Sequence, residues 1–382
     1  MVYEHGDEIS RIPWLRGYGS RPLGVWRYRE LLPVEDYGKV VSMGEGGTRL
    51  IRCRNLEREL GVGEIYVKYE GDNPTGSFKD RGMTVGVTKA VEAGARTTIC
   101  ASTGNTSSSL AAYSARAGLE CVVLVPAGKI ALGKLSQAII HGARVLAVRG
   151  SFDDCLRIVR ILSRDKRFYL LNSINPFRLE GQKTAAYEIY EQLSGAAPDK
   201  LIIPVGNAGN IVAYWKGFGE LRSLGLIEEL PSFIGVQAMG AAPIYKAYVE
   251  GADEIKPIKD VETVATAIRI GNPVNWKRAL KAIRETGGLA AAVSDAEILE
   301  AQRMLASREG IFAEPAGAAP IAFLIKASKE GLVERDERVV CIATGHGLKD
   351  PGIVVKTFEK PLEVDVSPDS VLRALEVSAK AV

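Results

Sequence analysis

The chain has 382 residues, 46% apolar and 25% charged, with a net charge of +3. That length can bury a core of useful size in one large domain or two to three smaller ones. The small charge argues against a nucleic-acid partner, which leaves a clustered basic footprint, and no apolar run approaches the roughly 20 residues of a membrane helix. Five cysteines lack any C-x-x-C pairing and several sit in apolar runs, as buried free thiols do; three histidines, His5, His141 and His346, are too few and too scattered for a metal site. The stretch "MVYEHGDEIS" has no basic-then-apolar signal pattern. The expectation is a cytoplasmic protein with no metal.

The first telling segment is "GDNPTGSFKDRGM", residues 71–83. Ser77-Phe78-Lys79-Asp80 fits the S-x-x-D capping pattern, which predicts a helix from Ser77 with a buried face of Met83, Val87, Ala90 and Val91 and a stop at Gly94. Lys79 falls in its first turn. There the helix dipole and exclusion of water lower an amine's pKa and make it a nucleophile for carbonyls. Asp80 and Arg81 read as a cap and an ion-pair partner. Alone, Lys79 also has the bland reading of a solvated lysine.

The strand "TTICAS" leads into "ASTGNTSSS" and a helix over 107–118. Ser102, Thr103, Asn105 and Thr106 bring hydroxyls, an amide and free backbone N–H groups to that helix start, which suits a carboxylate as well as a capping loop. The strand "CVVLVP", the helix "ALGKLSQAII", the strand "RVLAVRG", the helix "FDDCLRIVRILSR" and the strand "FYLLNS" follow. In "LLNSINPFRLEGQKT", Asn172, Ser173 and Arg178 cluster before a predicted helix "LEGQKTAAYEIYEQL", and arginine offers the fork that phosphates favour.

After the strand "KLIIPVG" comes "PVGNAGNIV", where Gly206 and Gly209 let the backbone approach an anion and the N–H groups of 206–210 form a nest for a phosphate. It lacks dinucleotide and P-loop spacings. The strands "SFIGVQA" and "RVVCIAT" complete the series; the latter presents the neutral hydroxyl of Thr344 in "CIATGHGLKDPG", with His346 read as a loop residue holding a structural hydrogen bond. Near-continuous apolar strands alternating with helices predict an open, doubly wound α/β fold with parallel strands, and ligands in such sheets sit where strands end. A carbonyl-reactive lysine, a phosphate nest and a carboxylate loop together suit pyridoxal 5′-phosphate acting on an amino acid.

The segments "PTGSFKDRGMT", "STGNT", "NSINPFRLEGQKT", "GNAGN", "EPAGAA" and "ATGHGLKD", in this order over about residues 40–355, resemble the threonine synthases, pyridoxal-phosphate enzymes of the tryptophan-synthase-β structural group. The resemblance implies a fold type II enzyme of two doubly wound α/β domains with the cofactor in the cleft between them. The large one would span 1–70 and 176–382, and a small mobile one 71–175. It implies Lys79 as the Schiff-base and proton-moving residue, Phe78 beside the cofactor, and Asn105 on the ring's 3′-oxygen. Gly206, Asn207, Ala208, Gly209 and Asn210 would lie around its phosphate, and Thr344 would face the ring nitrogen. Ser102, Thr103, Asn105 and Thr106 would take the substrate carboxylate. Asn172, Ser173 and Arg178, with Lys183 as a helper, would hold the substrate's own phosphate. The implied substrate is O-phospho-L-homoserine and the implied assembly a homodimer, with a threonine or serine dehydratase or a cysteate synthase as alternatives on the same fold. Gly317 stands where the family often has Ser.

Overall fold

The computed structural model describes residues 21–128, 132–357 and 361–379; the N-terminal decapeptide and His5 lie outside them. Among the described residues, ten strands form two sheets. The strands are β1 (Leu50–Arg52), β2 (Glu64–Tyr69), β3 (Thr97–Ala101), β4 (Glu120–Pro126), β5 (Arg144–Val148), β6 (Phe168–Leu170), β7 (Lys200–Pro204), β8 (Ser232–Ala238), β9 (Leu289–Val293) and β10 (Arg338–Ala343). The larger sheet has the order β1-β2-β10-β7-β8-β9 and the smaller β5-β4-β3-β6. Every pairing is parallel except that of β1 with β2.

Alternation along the strands shows why the sheets are covered on both sides. In β7, Leu201 and Ile203 enter one core cluster while Ile202 enters another; in β10, Val340 and Ile342 go with the first and Val339 and Cys341 with the second. Successive side chains point to opposite faces, so a strand apolar at every position must be buried on both. The smaller sheet divides likewise, with Cys100, Val123 and Val125 on one face and Ile99, Ala101 and Leu124 on the other. All five cysteines are buried free thiols. No helix among the described residues is long and apolar enough to cross a membrane.

Two differences from the sequence reading bear on the site. The helix expected from 179 begins earlier, at Pro176, where the Asn175 side chain accepts the Phe177 N–H at 3.0 Å, and it is divided into Pro176–Gln182 and Thr184–Gln192. Arg178 therefore lies inside the first turn rather than ahead of it. The helix expected from Ser77 begins instead at Lys79 and runs to Glu92. Ser77 is drawn into a bridge with Gly345, and the Asp80 carboxylate accepts from the Thr75 N–H and hydroxyl, each at 2.6 Å, and from Ser109 at 2.5 Å.

Helices Lys79–Glu92 and Pro176–Gln182 cross at close range. A Cβ on Gly181 would lie 1.8 Å from the Arg81 carbonyl oxygen, and one on Gly82 would lie 2.8 Å from that of Arg178. Behind the crossing, the Arg81 guanidinium pairs with Glu70 and Glu188, each at 2.7 Å, and Lys68 pairs with Glu188 at 2.7 Å, all fully buried. Burial alone would raise the Glu188 pKa, but Arg81 and then Lys68 hold it well below the usual carboxylate range. This network ties the Lys79 helix to the end of β2 and to helix Thr184–Gln192. Residues 350–382 form a separate unit with helices Pro351–Thr357 and Pro368–Ala379.

Candidate active site

One cavity collects the loops at the carboxyl ends of β3, β6, β7 and β10 together with the start of the Lys79 helix. Phe78, Lys79, Ser102, Thr103, Asn105, Thr106, Asn172, Ser173, Arg178, Thr344 and all of Gly206 to Asn210 line it. Lys183 does not. Its amine is fully buried and bonded to the Leu31 carbonyl, Glu180 and Glu220, so the helper role expected for it is corrected to an internal ion pair.

The Lys79 amine lies 4.0 Å from the centroid of the Phe78 ring. Burial, reinforced by the Arg178 charge and opposed by Glu314, pushes its pKa down to about 7. A substantial fraction is therefore neutral near physiological pH, the state in which an amine attacks a carbonyl. The amide of Phe78 donates to the Thr344 carbonyl at 3.0 Å and that of His346 to the Gly76 carbonyl at 2.9 Å. His346 otherwise accepts the Leu348 N–H on Nδ1 at 3.0 Å.

The 206–210 loop precedes a long helix, Gly209–Ser223. Ala208 holds a left-handed φ of 62°, which only one other non-glycine among the described residues shares; such a kink turns successive N–H groups inward. A Cβ on Gly206 would press to 3.0 Å of the Ile268 Cα. Asn275 steadies the turn, donating its N–H and side-chain amide to the Asn207 carbonyl at 3.2 and 3.3 Å. The buried Asn210 Nδ2 has no partner.

Arg178 is 2% exposed, its Nε lacks any partner, and Nη1 makes only a long 3.4 Å bond to the Leu171 carbonyl. Burial lowers its pKa to about 10. A buried guanidinium without a carboxylate is costly unless an anion completes it. Asn172 differs from expectation. Its amide is clamped to Ala101, accepting the N–H and donating to the carbonyl at 2.9 Å each, so it shapes the wall chiefly by joining two loops.

Sequence reasoning missed Glu314, Gln182, Phe152 and the Thr266–Ile270 wall. Gln182, one helical turn beyond Arg178, and Phe152, the half-exposed first residue of helix Phe152–Leu162, both line the cavity. Glu314, just before helix Pro315–Lys329, accepts from Asn105 Nδ2 at 3.1 and 3.0 Å and from the Thr344 hydroxyl at 3.1 Å. The only local signal was an acidic residue at a cap position that Ser, Thr, Asp or Asn usually fill.

A family profile described as pyridoxal-phosphate dependent enzyme matches residues 41–345. The threonine synthase of Methanocaldococcus jannaschii is 60% identical over 98% of this chain and 93% of its own. That of Methanosarcina acetivorans is 56% identical over 93% and 87%, and that of Mycobacterium tuberculosis 51% over 91% and 94%. The chain belongs to the threonine synthase family of pyridoxal-phosphate-dependent enzymes.

The family's fold type II architecture also appears in more distant structures. Threonine deaminase isoform 2 of Solanum lycopersicum superimposes with a TM-score of 0.71 at 22% identity, over 88% of this chain and 95% of that one. A fungal L-serine ammonia-lyase from Rhizomucor miehei gives 0.69 at 21%, over 82% and 98%. These show the shared fold. The cofactor of the family fits the cavity on the structure's own terms: a buried amine of lowered pKa stands in the same enclosure as a left-handed turn of free N–H groups and an unpartnered buried amide.

Proposed function

We propose that this enzyme converts O-phospho-L-homoserine and water to L-threonine and phosphate. In that conversion the Cγ–O bond breaks and phosphate leaves, Cβ gives up one proton and gains the hydroxyl of water, Cγ gains a proton, and the remaining proton of water goes to the phosphate. The observation that carries the choice of substrate is the buried Arg178 guanidinium, its Nε without a partner and no carboxylate paired with it, in the same cavity as the 206–210 turn. A substrate without a phosphate leaves that charge uncompensated, whereas a phosphorylated one completes it with charge-assisted hydrogen bonds.

Pyridoxal phosphate, when bound, supplies an aldehyde for the substrate amine and a conjugated ring that takes up the electron pair left at the amino acid's carbon. The chain's residues do the rest. Lys79 would hold the cofactor through its aldehyde and would move protons at the substrate's Cα and Cβ; its lowered pKa matches it to both directions of transfer. The N–H groups of Gly206 to Asn210 would take the cofactor phosphate, Asn105 the ring's 3′-oxygen and Thr344 the ring nitrogen. Ser102, Thr103 and Thr106, at the start of helix Asn105–Arg116, take the substrate carboxylate. Arg178 and Ser173 hold the substrate phosphate and later the leaving group. Phe78 flanks the amine and, with burial, keeps water from it. The segment 71–175, which carries the four-stranded sheet, closes as one body over the substrate. The reading includes a cytoplasmic homodimer, which sedimentation of the purified protein checks.

The test is incubation of protein loaded with pyridoxal phosphate with O-phospho-L-homoserine, O-phospho-L-serine and L-threonine in separate reactions. Equal yields of phosphate and threonine from the first, with little turnover of the others, are expected. Ammonia and a 2-oxo acid from L-threonine as the dominant reaction would establish a dehydratase instead.

A further inference from the structure

Glu314 is 5% exposed and sits at the N-cap of a long helix, yet its side chain makes no capping hydrogen bond to that helix. It stands behind the cavity wall, where its partners are the Asn105 amide, at 3.1 and 3.0 Å, and the Thr344 hydroxyl, at 3.1 Å, two residues that line the cavity. The position is shaped for it. A Cβ on Gly345 would stand 2.7 Å from Oε1 and 2.9 Å from Cδ, and the Glu314 N–H donates to the Gly345 carbonyl at 2.9 Å. A carboxyl group buried in so close a space, and bonded to two cavity-lining residues from separate loops, acts on what those residues face.

The geometry points to Glu314 as the positioning residue for the cofactor's ring edge: it orients Asn105 and Thr344, and its proton decides whether Thr344 donates to or accepts from the ring nitrogen. This rests on the placement of Asn105 and Thr344 at the ring in the function proposed above. The proton balance is simple. An ionised Glu314 accepts the only hydroxyl proton of Thr344, which leaves lone pairs toward the ring. A protonated Glu314 donates to Thr344 Oγ1, and the hydroxyl proton of Thr344 then turns to the ring nitrogen, an acceptor when unprotonated. No proton is gained or lost between site and ring in the second arrangement.

The groups that bias Glu314 come from several elements. Burial raises its pKa, while Asn105, Lys349, Thr344 and Lys79 oppose that. The Tyr69 phenol also feels its charge, and Asp80 acts on Lys349.

Three proteins test the proposal by the cofactor's absorption spectrum across neutral pH and by titration of apoprotein with pyridoxal phosphate: wild type, Glu314→Gln and Glu314→Ala. Gln keeps both contacts, accepting from Asn105 and donating to Thr344, so its dissociation constant stays within about threefold of wild type. Its spectrum loses the pH transition that wild type shows. Ala releases both side chains, weakens cofactor binding by about tenfold, as loss of a buried partner does, and shifts the band in a protein of unchanged circular dichroism. If the Ala variant fails to fold, the Gln spectrum decides alone. An Ala variant with wild-type binding and spectrum, or a Gln variant that titrates like wild type, overturns the proposal. Failure of the functional reading is seen separately, in the products of the wild-type enzyme.

Discussion

The backbone N–H of Phe78 donates to the carbonyl of Thr344 at 3.0 Å. The loop that delivers Lys79 and the loop that delivers Thr344 are thereby one hydrogen-bonded unit, although the two residues stand 265 positions apart in the chain (344 − 79). The neighbouring bridge between Ser77 and Gly345 has the same effect. The amine is held by backbone bonds that no side-chain substitution at the rim removes.

Capture of the cofactor follows the neutral fraction of Lys79. Apoprotein mixed with pyridoxal phosphate gains its visible absorption at a rate that rises with pH to a midpoint near 7, where the pKa of the amine lies. Replacing Arg178 by Met removes the second cause of that depression and moves the midpoint upward. Lys79→Ala abolishes the covalent band. The apoprotein's stability obeys the same shift: the unfolded lysine keeps its proton up to the ordinary 10.5, so the unfolded state binds more protons between the two values and stability rises with pH through that window. Stopped-flow absorption and denaturant melts at several pH values check both statements.

Arg178→Ala weakens the phosphorylated substrate and leaves the cofactor band in place. Loss of a hydrogen bond to a charged group costs about 1.5–3 kcal/mol, read as a rise of about 10- to 150-fold in KM. An unchanged KM places the substrate's phosphate elsewhere.

Lys183→Ala separates the corrected role from the expected one. Its amine joins Glu180, Glu220 and the Leu31 carbonyl, and Lys216 stays paired with both carboxylates, so removal costs about 1.5–3 kcal/mol in unfolding free energy, as loss of charged hydrogen bonds does. KM for phosphohomoserine in the folded fraction stays within about twofold, since no substrate bond is lost. A large rise in KM at unchanged stability restores it to the site.

Glu188→Ala strikes the network behind the site. With Arg81 and Lys68 both paired to it in the interior, the loss is about 3–5 kcal/mol. Because its pKa is depressed on folding, its contribution is present above the ordinary carboxylate range and fades as pH falls. The wild type therefore loses more stability on acidification than the variant does. Melts of both proteins at neutral and acidic pH measure the difference.

The strands "TTICA", "KLIIP" and "RVVCIA" were legible because they are apolar at consecutive positions, which a parallel sheet covered on both faces demands. β9, "LAAAV", was not read, since a run of alanines carries no strand signal and becomes a strand only beside β8. The cap at Ser77 was misread for a related reason: S-x-x-D is a local pattern, and Thr75 and Ser109 outcompeted it for Asp80 through contacts made only in the fold.

The sequence by itself determined the chemistry available: a lysine at a helix start, a glycine-bracketed turn before a long helix and hydroxyl-rich strand ends, all of them local patterns written in consecutive residues. Tertiary structure alone decided which charges are solvated and which are stranded. Arg178 and Lys183 lie five positions apart on neighbouring turns, and both are buried. One meets two carboxylates and becomes a structural pair, whereas the other meets none and is left for a ligand. Glu314 joins the site for the same reason: the environment of an ionisable group is set by what packs against it from distant parts of the chain.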